Sequence, residues 1–231
     1  MTPLDFMQIQ AATLFKLDAR GCILAINEQG APDPPRLFLG RTAAGHVLHL
    51  RHDLSGELAA ELEAIALAEP LSADLEPEPA CLAALVAALE RHAPVTQRYR
   101  GPAFFFPEQI AALHGVTPID ADNATLVRDG FGATLPLNPA IAPVLAAVQD
   151  AMAVAVCFSS RRTATACEAG LEVLPNYRRR GYALRVTAAW ALAVRADGRL
   201  PLYSTEWENV ASRGVARGLG LTLYGDDLDL W

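Results

Sequence analysis

The sequence predicts an α/β (α+β) fold, in which a mainly antiparallel sheet flanked by helices follows a smaller N-terminal α+β domain. Three apolar stretches, 144–148, 153–160 and 166–174, are separated by short polar connections. This spacing is typical of an antiparallel meander of strands. Beyond residue 182 the apolar spacing predicts a helix, a strand, a second helix and a last strand, so strands and helices alternate to the end of this half.

Local signals predict the remaining elements of the second half. Residues 116–119 are predicted to form a short strand, and 122–129 a helix that Gly130 ends. The elements after the meander are a helix at 183–196, a strand at 202–207, a helix at 210–219 and a strand at 221–224.

The first part of the chain predicts a small α+β unit. The turn Asp18-Ala19-Arg20-Gly21 joins two candidate strands, 13–17 and 22–27, into a hairpin. Ser55 is a good N-cap for a helix with leucines at helical spacing. Two further strands and a second helix are predicted at 36–41, 47–51 and 80–91.

A stretch rich in proline and acidic residues, 69–79, separates the two predicted helices of this first part. Such a composition is typical of a linker. The sequence therefore predicts two domains, an N-terminal α+β domain of unknown role at 1–95 and a second domain at 96–231.

Composition limits the function. The chain has 231 residues, of which 52% are hydrophobic, so it can bury a substantial core. A formal net charge of −7 argues against a general nucleic-acid binder, which needs a basic surface. No apolar run approaches the length of a membrane span, and the first residues lack the basic start of a signal peptide. We therefore expect a cytoplasmic protein that binds no membrane.

Neither cysteine nor histidine spacing predicts a metal site. No two of the four cysteines are spaced as CxxC, so we expect free, mostly buried thiols. His46, His49 and His52 sit three apart, and on a strand His49 points opposite to the other two. We expect no metal ligands among them.

The most informative segment follows the strand at 166–174. An Arg-rich loop begins after Pro175 and opens directly into a helix. A helix start presents unpaired backbone N–H groups and the positive end of the helix dipole, which together bind anions. Gly181 allows the backbone to approach a phosphate closely, and Ala183 keeps the first turn uncluttered.

The run Arg178-Arg-Arg-Gly181-Tyr-Ala183 resembles the Arg/Gln-x-x-Gly-x-Gly/Ala signature of the GNAT N-acetyltransferase superfamily, which cradles the pyrophosphate of coenzyme A. Downstream, Asn209 and Leu219-Gly-Leu221 resemble the strand–Asn–helix–strand ending of that family. The resemblance covers roughly residues 116–224 and is closest to a bacterial branch of undefined substrate. It implies a GNAT-type mixed, mainly antiparallel twisted sheet flanked by helices.

The resemblance also implies a cofactor and a reaction. Acetyl-CoA would donate an acetyl group to a primary amine of a small-molecule or peptide acceptor, in a ternary complex. Backbone N–H groups near Val173 and Leu174 would stay unpaired where two strands splay. The N-terminal domain would shape the acceptor side or mediate a homodimer. The implied coenzyme A contacts are Leu171, Val173, Leu174, Arg178, Arg179, Arg180, Gly181, Tyr182, Ala183, Asn209 and Ser212.

Two carboxylates are candidates for the catalytic residues. Glu168 and Glu172 lie four apart on one predicted strand and therefore share a face. A glutamate in an apolar cleft has a raised pKa, which suits a general base acting through water. Glu168 resembles the catalytic glutamate of some histone-type members. The alternative is a solvated carboxylate, or one paired with Arg161 or Arg162.

The sequence departs from the family pattern at the position of the general acid. Many members carry a Tyr seven residues after the Asn, and here that position is Ala216. Tyr203, Tyr224 and Ser212 are substitutes among which the sequence does not choose. Asn209 either caps the last helix or contacts the cofactor. The missing Tyr favours an alternative function, a non-catalytic acyl-CoA-binding regulatory module. A transferase of longer acyl chains is a third interpretation.

Overall fold

A computed structural model of the protein describes residues 1–131 and 139–231, without the side chains of residues 128–130. The α-helices of the described residues are α1 (Pro3–Leu14), α2 (Gly56–Leu67), α3 (Leu82–Glu90), α4 (Thr125–Phe131), α5 (Tyr182–Ala196) and α6 (Val210–Gly218). The strands are β1 (Phe15–Leu17), β2 (Ile23–Ile26), β3 (Leu37–Thr42), β4 (Gly45–Leu50), β5 (Arg98–Phe105), β6 (Thr117–Ile119), β7 (Val144–Gln149), β8 (Met152–Arg162), β9 (Ala166–Val173), β10 (Leu200–Ser204) and β11 (Thr222–Leu230).

The described chain divides into two compact units. Unit 1 comprises residues 1–104, 204–210 and 223–231, and unit 2 comprises residues 105–203 and 211–222. This division differs from the predicted one, because two late segments belong with the first part of the chain. The reason is strand pairing: β11 lies antiparallel to β3, with Leu228 opposite Leu39.

Unit 1 is built on strands in the order β4-β3-β11-β5. Alternate residues of β3 and β11, such as Leu39 and Leu228, point to one face and pack with Leu62 of α2 and Leu85 of α3. The predicted hairpin forms between β1 and β2, and Ser55 caps α2 by accepting a hydrogen bond from the Leu58 amide. These elements confirm the predicted α+β character of the first part.

The helix α1 was not predicted, and residues 13–14, expected in a strand, form its last turn. A capping box begins this helix. The Thr2 hydroxyl accepts from the Asp5 amide, and the Asp5 carboxylate accepts from the Thr2 amide. Pro3 then occupies the first turn, where its missing N–H costs nothing. The hairpin strand is accordingly confined to β1.

The predicted linker at 69–79 is fastened to unit 1 by two arginines. Arg41 pairs with Glu69 at 3.0 Å and with Asp226 at 2.6 Å, and it donates to the carbonyls of Leu75 and Pro77. Arg100 donates to the same two carbonyls and to Asp226. Because a guanidinium carries five N–H donors, two such groups can hold an irregular segment through its carbonyls. The composition therefore indicated irregular structure correctly, but this segment is not a free linker.

Unit 2 contains the predicted antiparallel meander, with strands in the order β10-β9-β8-β7-β6. Helix α5 packs its buried side chains, among them Val186 and Val194, against this sheet, and the Trp190 indole donates to the Ser159 hydroxyl at 3.3 Å. A parallel pair, β9 with β10, makes the sheet mixed. The mixed, mostly antiparallel sheet flanked by helices confirms the predicted fold class.

Several element bounds differ from the predicted ones. Strand β10 ends at Ser204, helix α4 continues past Gly130 to Phe131, and β11 extends to Leu230. Strand β5 was not predicted. Within the described ranges, no helix is both long and apolar enough to cross a membrane.

We predict that Arg41→Ala destabilises the protein by about 3–5 kcal/mol, because it leaves the Asp226 carboxylate buried with part of its ion pairing removed. Chemical denaturation with urea measures this change. Arg91→Ala is the matched control, since the Arg91–Glu61 ion pair is exposed and should contribute less than about 1 kcal/mol. Equal effects of the two substitutions would contradict the structural role of Arg41.

Candidate functional site

Strands β9 and β10 separate part-way along their length. Their parallel ladder has three residue pairs, Leu200 with Ala166, Pro201 with Cys167 and Leu202 with Glu168. Beyond Glu168, β9 continues to Val173 while paired with β8 alone in unit 2. A gap therefore opens on the β10 side of β9, and its closed end, here called the apex, lies at the Leu202–Glu168 pair.

The backbone of β9 directs hydrogen-bonding groups into this gap. The Leu174 amide donates to the Val154 carbonyl at 3.0 Å, on the β8 side. Amides of an antiparallel strand point alternately to either side, and the register here is regular, with Leu171 opposite Cys157 and Val173 opposite Ala155. Leu171 and Val173 therefore direct their N–H groups away from β8. The sequence prediction is corrected at Leu174, whose amide already has a partner.

The loop that is predicted to bind an anion connects the end of β9 to the start of α5. A single 3₁₀ turn, Pro175–Tyr177, follows the strand, and Gly181 is the N-cap of α5 with a left-handed backbone (φ +80°). Gly181 has no side chain to cap this helix, and the first turn of the helix contains no acidic residue. A Cβ added at Gly181 would meet no atom of the described residues within 4 Å, so the space beside this residue is open.

Arginines and tyrosines surround these amides. Arg178, Arg179 and Arg180 are exposed, and Arg179 itself has a positive φ of 59°. Arg178 donates from Nε to the Val173 carbonyl at 3.2 Å. The Arg180 guanidinium lies 5.4 Å from the centre of the Tyr177 ring, a cation–π contact. Tyr182 and Ala183, the first two residues of α5, are half-buried.

The two candidate carboxylates differ in burial. Glu168 is 3% exposed, at the apex, whereas Glu172 is half-buried further along the same face of β9. Arg161 of β8 is the register partner of Glu168. This placement agrees with the alternative interpretation, in which Glu168 is an ion-paired carboxylate and not a general base. The Ser160 hydroxyl donates to the Glu168 carbonyl at 3.2 Å, which fixes the backbone at this point. Glu168 is therefore placed beside the gap, and its role stays a prediction.

Tyr203 and Ser212 meet next to the apex. Tyr203 is the first residue of β10 after the ladder with β9, is 2% exposed, and has its hydroxyl 2.5 Å from the Ser212 Oγ of α6. The pKa of Tyr203 is raised to about 12, mainly by burial and to a smaller extent by the nearby Cys157 and Glu168, while the hydrogen bond with Ser212 opposes the shift. The phenol therefore stays protonated at neutral and mildly alkaline pH.

The remaining predicted positions are not drawn together in unit 2. Asn209 lies in unit 1, exposed, just before α6. Ala216 is buried in α6. Tyr224 belongs to unit 1, where its hydroxyl donates to Gln10 and its ring stacks on Phe6. Tyr224 is thus committed to the core of unit 1. Sequence spacing gave no signal that singled out the contact between Tyr203 and Ser212.

The three spaced histidines have structural partners. His46, His49 and His52 bond to the carbonyls of Glu69, Gly21 and Ile23 at 3.0, 2.7 and 3.2 Å. Among the residues that the structure describes, no group of three His, Cys, Asp or Glu side chains is placed to hold a metal ion.

Residues 144–230 match the model of the family described as FR47-like protein. The FR47-like segment begins with β7 and includes the gap, the loop before α5 and both hydroxyls of the Tyr203–Ser212 pair. No curated protein matches the sequence.

One solved structure reaches a TM-score of 0.50 and shows that the chain has a similar fold. An acetyltransferase from the GNAT family from Colwellia psychrerythraea aligns with 100% of this chain and 97% of its own, at 13% identity and a TM-score of 0.50. A putative acetyltransferase from the GNAT family from Novosphingobium aromaticivorans aligns with 59% of this chain and 65% of its own, at 16% identity and a TM-score of 0.49. This chain therefore spans less than two thirds of that protein. Aminoglycoside N-acetyltransferase AAC(6')-Iy, in complex with CoA, aligns with 46% of this chain and 89% of its own, at 21% identity and a TM-score of 0.35.

Proposed function

We propose that the protein binds acetyl-CoA along the gap between β9 and β10 and transfers its acetyl group to a primary amine in a ternary complex. The observation that carries this proposal is the succession of two sets of donors: the outward amides of β9 are followed along the chain by the first amides of α5, which have no partner within the helix. A diphosphate with an extended amide-containing arm has matching acceptors in the same order.

The start of α5 suits the diphosphate. Its uncapped amides and the helix dipole favour an anion, and three exposed arginines add positive charge to a chain of net charge −7. In this proposal Arg178, Arg179, Arg180 and the amides of Gly181, Tyr182 and Ala183 bind the phosphate oxygens. Because Gly181 has no side chain, the oxygens can approach its backbone closely.

The outward amides of β9 suit the pantetheine arm and the thioester. The N–H groups of Leu171 and Val173 would bond to the arm as a neighbouring strand does. An N–H group at the reacting carbonyl would also stabilise the oxyanion of the tetrahedral intermediate. The side chain of Leu174 would contact the arm, while Ser212 and Asn209 stay predicted contacts without an assigned cofactor atom.

Glu168 is proposed as the general base. Its place at the apex is the point where an arm extending from the α5 loop along β9 would present its thioester. The carboxylate would accept a proton from the acceptor ammonium, directly or through water, before the nitrogen attacks. Glu172, on the same face, is proposed to lie beside the incoming amine rather than at the reacting carbon. The proposed acceptor is an amine-bearing small molecule or peptide.

A non-catalytic acyl-CoA-binding module is the second candidate. The observation that favours it is Ala216, a buried methyl group where the resemblance implies a tyrosine. Such a module would bind acyl-CoA through the same backbone amides of α5 and β9 but would not transfer the acyl group.

We predict that Gly181→Glu removes measurable acetyl-CoA binding in calorimetric titration, because the substitution places a negative charge and a side chain at the proposed diphosphate site. Gly198→Glu is the matched control. Gly198 lies just after α5, has a similar φ of 74° and has nothing within 4 Å of an added Cβ, so the substitution carries the same backbone strain and charge. Unchanged affinity in Gly181→Glu would contradict the proposed cofactor site.

The two candidate functions predict different thiol release. A transferase incubated with acetyl-CoA and a panel of primary amines should release free coenzyme A in proportion to acetylated amine. The regulatory module should bind acetyl-CoA and release no thiol above the rate of spontaneous hydrolysis. A thiol-reactive dye measures the release, and mass spectrometry identifies the acetylated acceptor.

We predict that Glu168→Gln lowers kcat by about 10²–10⁴-fold and leaves acetyl-CoA affinity unchanged, because the amide keeps the shape of the side chain but cannot accept the proton. The pH–rate profile should lose its acidic limb. Glu172→Gln is the comparison, since it changes the same kind of group on the same face of β9. An unaltered pH–rate profile in Glu168→Gln would exclude Glu168 as the base.

A further inference from the structure

The face of β8 and β9 that is turned away from α5 presents an aromatic ring beside the candidate carboxylates. The Ser159 hydroxyl accepts a hydrogen bond from the Trp190 indole of α5 at 3.3 Å, so Ser159 points toward that helix. Successive side chains of a strand alternate, and Phe158 therefore points to the opposite face. The register pairs Phe158 with Gly170, and directly opposed residues share a face.

The ring of Phe158 lies over the backbone of Gly170. A Cβ added at Gly170 would be 2.5 Å from Cζ at the tip of the ring, which is too close for a side chain to occupy both places. Glycine at this position therefore lets the ring cross from β8 onto β9. Phe158 is half-buried and packs against a core cluster that includes Val127 and Val156, so the core holds one part of the ring while another part stays accessible.

Glu168 and Glu172 flank this ring along β9. Each lies two residues from Gly170, about 7 Å along the strand, and side chains two residues apart share a face. The register shift between Ser159 and Arg161 inserts its extra residue into β8, so β9 keeps its alternation. The face therefore presents, in order, a buried carboxylate, a half-buried ring and a half-buried carboxylate.

The two carboxylates have different neighbours across the strands. Arg161 is opposite Glu168, whereas the fully buried Val156 is opposite Glu172. Leu174, two residues beyond Glu172, packs against the same core as Phe158. Apolar surroundings strengthen the attraction between a carboxylate and a cation, because less water screens it. A carboxylate has about four acceptor positions, so Glu172 can bind an ammonium group alongside other partners.

We propose that this face recognises the acceptor, and that the acceptor is a linear diamine. One amino group reaches Glu168, the methylene chain lies on the Phe158 ring, and the second amino group binds Glu172 as an ammonium. This assignment rests on the proposed transferase function and names its substrate class. The two glutamates are four residues apart, about 13 Å between their Cα atoms, so the chain needs several methylene groups to reach both.

The cofactor and the acceptor use different sides of β9. The proposed acetyl-CoA arm bonds to the outward amides of Leu171 and Val173, which lie in the plane of the sheet. The acceptor lies on the face of the sheet, where side chains stand roughly perpendicular to that plane. Both molecules can therefore be bound at once, as direct transfer in a ternary complex requires.

The ring and the second carboxylate recognise different parts of the acceptor. Each methylene group that is fully removed from water on the ring strengthens binding by about fourfold. The ammonium group at Glu172 adds a hydrogen bond to a charged group. A monoamine of the same length has only the first contribution and places a methyl group against a carboxylate. The site therefore prefers the diamine to the monoamine.

A comparison of hexamethylenediamine with hexylamine tests the proposal, because the two share one chain and differ in the second amino group. The wild-type protein should acetylate the diamine with a kcat/KM about tenfold above that of hexylamine, which corresponds to one hydrogen bond to a charged group. Ethylenediamine is too short to span the two carboxylates and should show no such advantage. Release of free coenzyme A measures the rate, and mass spectrometry identifies the product.

Glu172→Gln should remove the preference and leave the kcat/KM for hexylamine unchanged, because the amide keeps the shape of the side chain and loses its charge. A merely structural role of Glu172 would affect both amines alike. Glu63→Gln, at an exposed glutamate of α2, is the matched control and should change neither value.

Two further substitutions test the ring. Phe158→Leu keeps an apolar side chain in the core but does not reach across to β9, and Gly170→Ala displaces the tip of the ring. Both should raise the KM for hexylamine and for the diamine, and leave the KM for acetyl-CoA unchanged. An unaltered KM for both amines in both variants would contradict the role of Phe158.

Calorimetric titration of each amine into the protein saturated with coenzyme A measures the acceptor site without turnover. Tighter binding of the diamine that depends on Glu172, without acetylation of any amine, supports the acceptor site and rejects the transferase. Acetylation of other amines without a preference for the diamine, or with a preference that survives Glu172→Gln, overturns the acceptor site and leaves the transferase standing. Absence of coenzyme A binding by the wild-type protein overturns both.

Discussion

The parting of β9 from β10 after the Glu168–Leu202 pair is the constraint on which the candidate site depends. A strand that loses its neighbour leaves every second amide without a ladder partner on that side, and such groups need a hydrogen-bond acceptor from elsewhere. The short ladder therefore leaves part of the sheet backbone available for the proposed cofactor arm. The same parting places Tyr203 at the first position of β10 beyond the ladder, next to the closed end of the gap.

The loop before α5 complements this surface through backbone conformation. Two residues of this loop, Arg179 and Gly181, have positive φ angles of 59° and 80°. They let the chain reverse between the end of β9 and the start of α5 without a side chain over the first amides of the helix. Cation–π contacts of Arg180 with Tyr177 and of Arg185 with Tyr182 hold the charged groups around these amides.

Much of this arrangement was predictable from sequence. Turn residues between apolar stretches predicted β7, β8 and β9, and the Arg-Gly loop between a strand and a helix predicted the start of α5. Strand β11 was only partly predicted, because Asp226, Asp227 and Asp229 suggest a solvated end. Their burial depends on distant partners: Arg41 bonds to Asp226, and Gln10 to Asp227. The Tyr203–Ser212 contact likewise depends on how α6 lies against β10, which no local spacing encodes.

The placement of β11 between β3 and β5 has a consequence for the order of folding. Residues 1–104 contain both neighbours of this strand but not the strand itself, which arrives more than a hundred residues later. During synthesis, the hydrogen bonds from β3 to β11 and from Arg41 to Asp226 can form only after the C-terminal strand has been made. Pairings of such long sequence separation form slowly, since chain entropy is lost before contact energy is gained. Unit 1 is therefore expected to be the late-folding part of the protein, although it comes first along the chain.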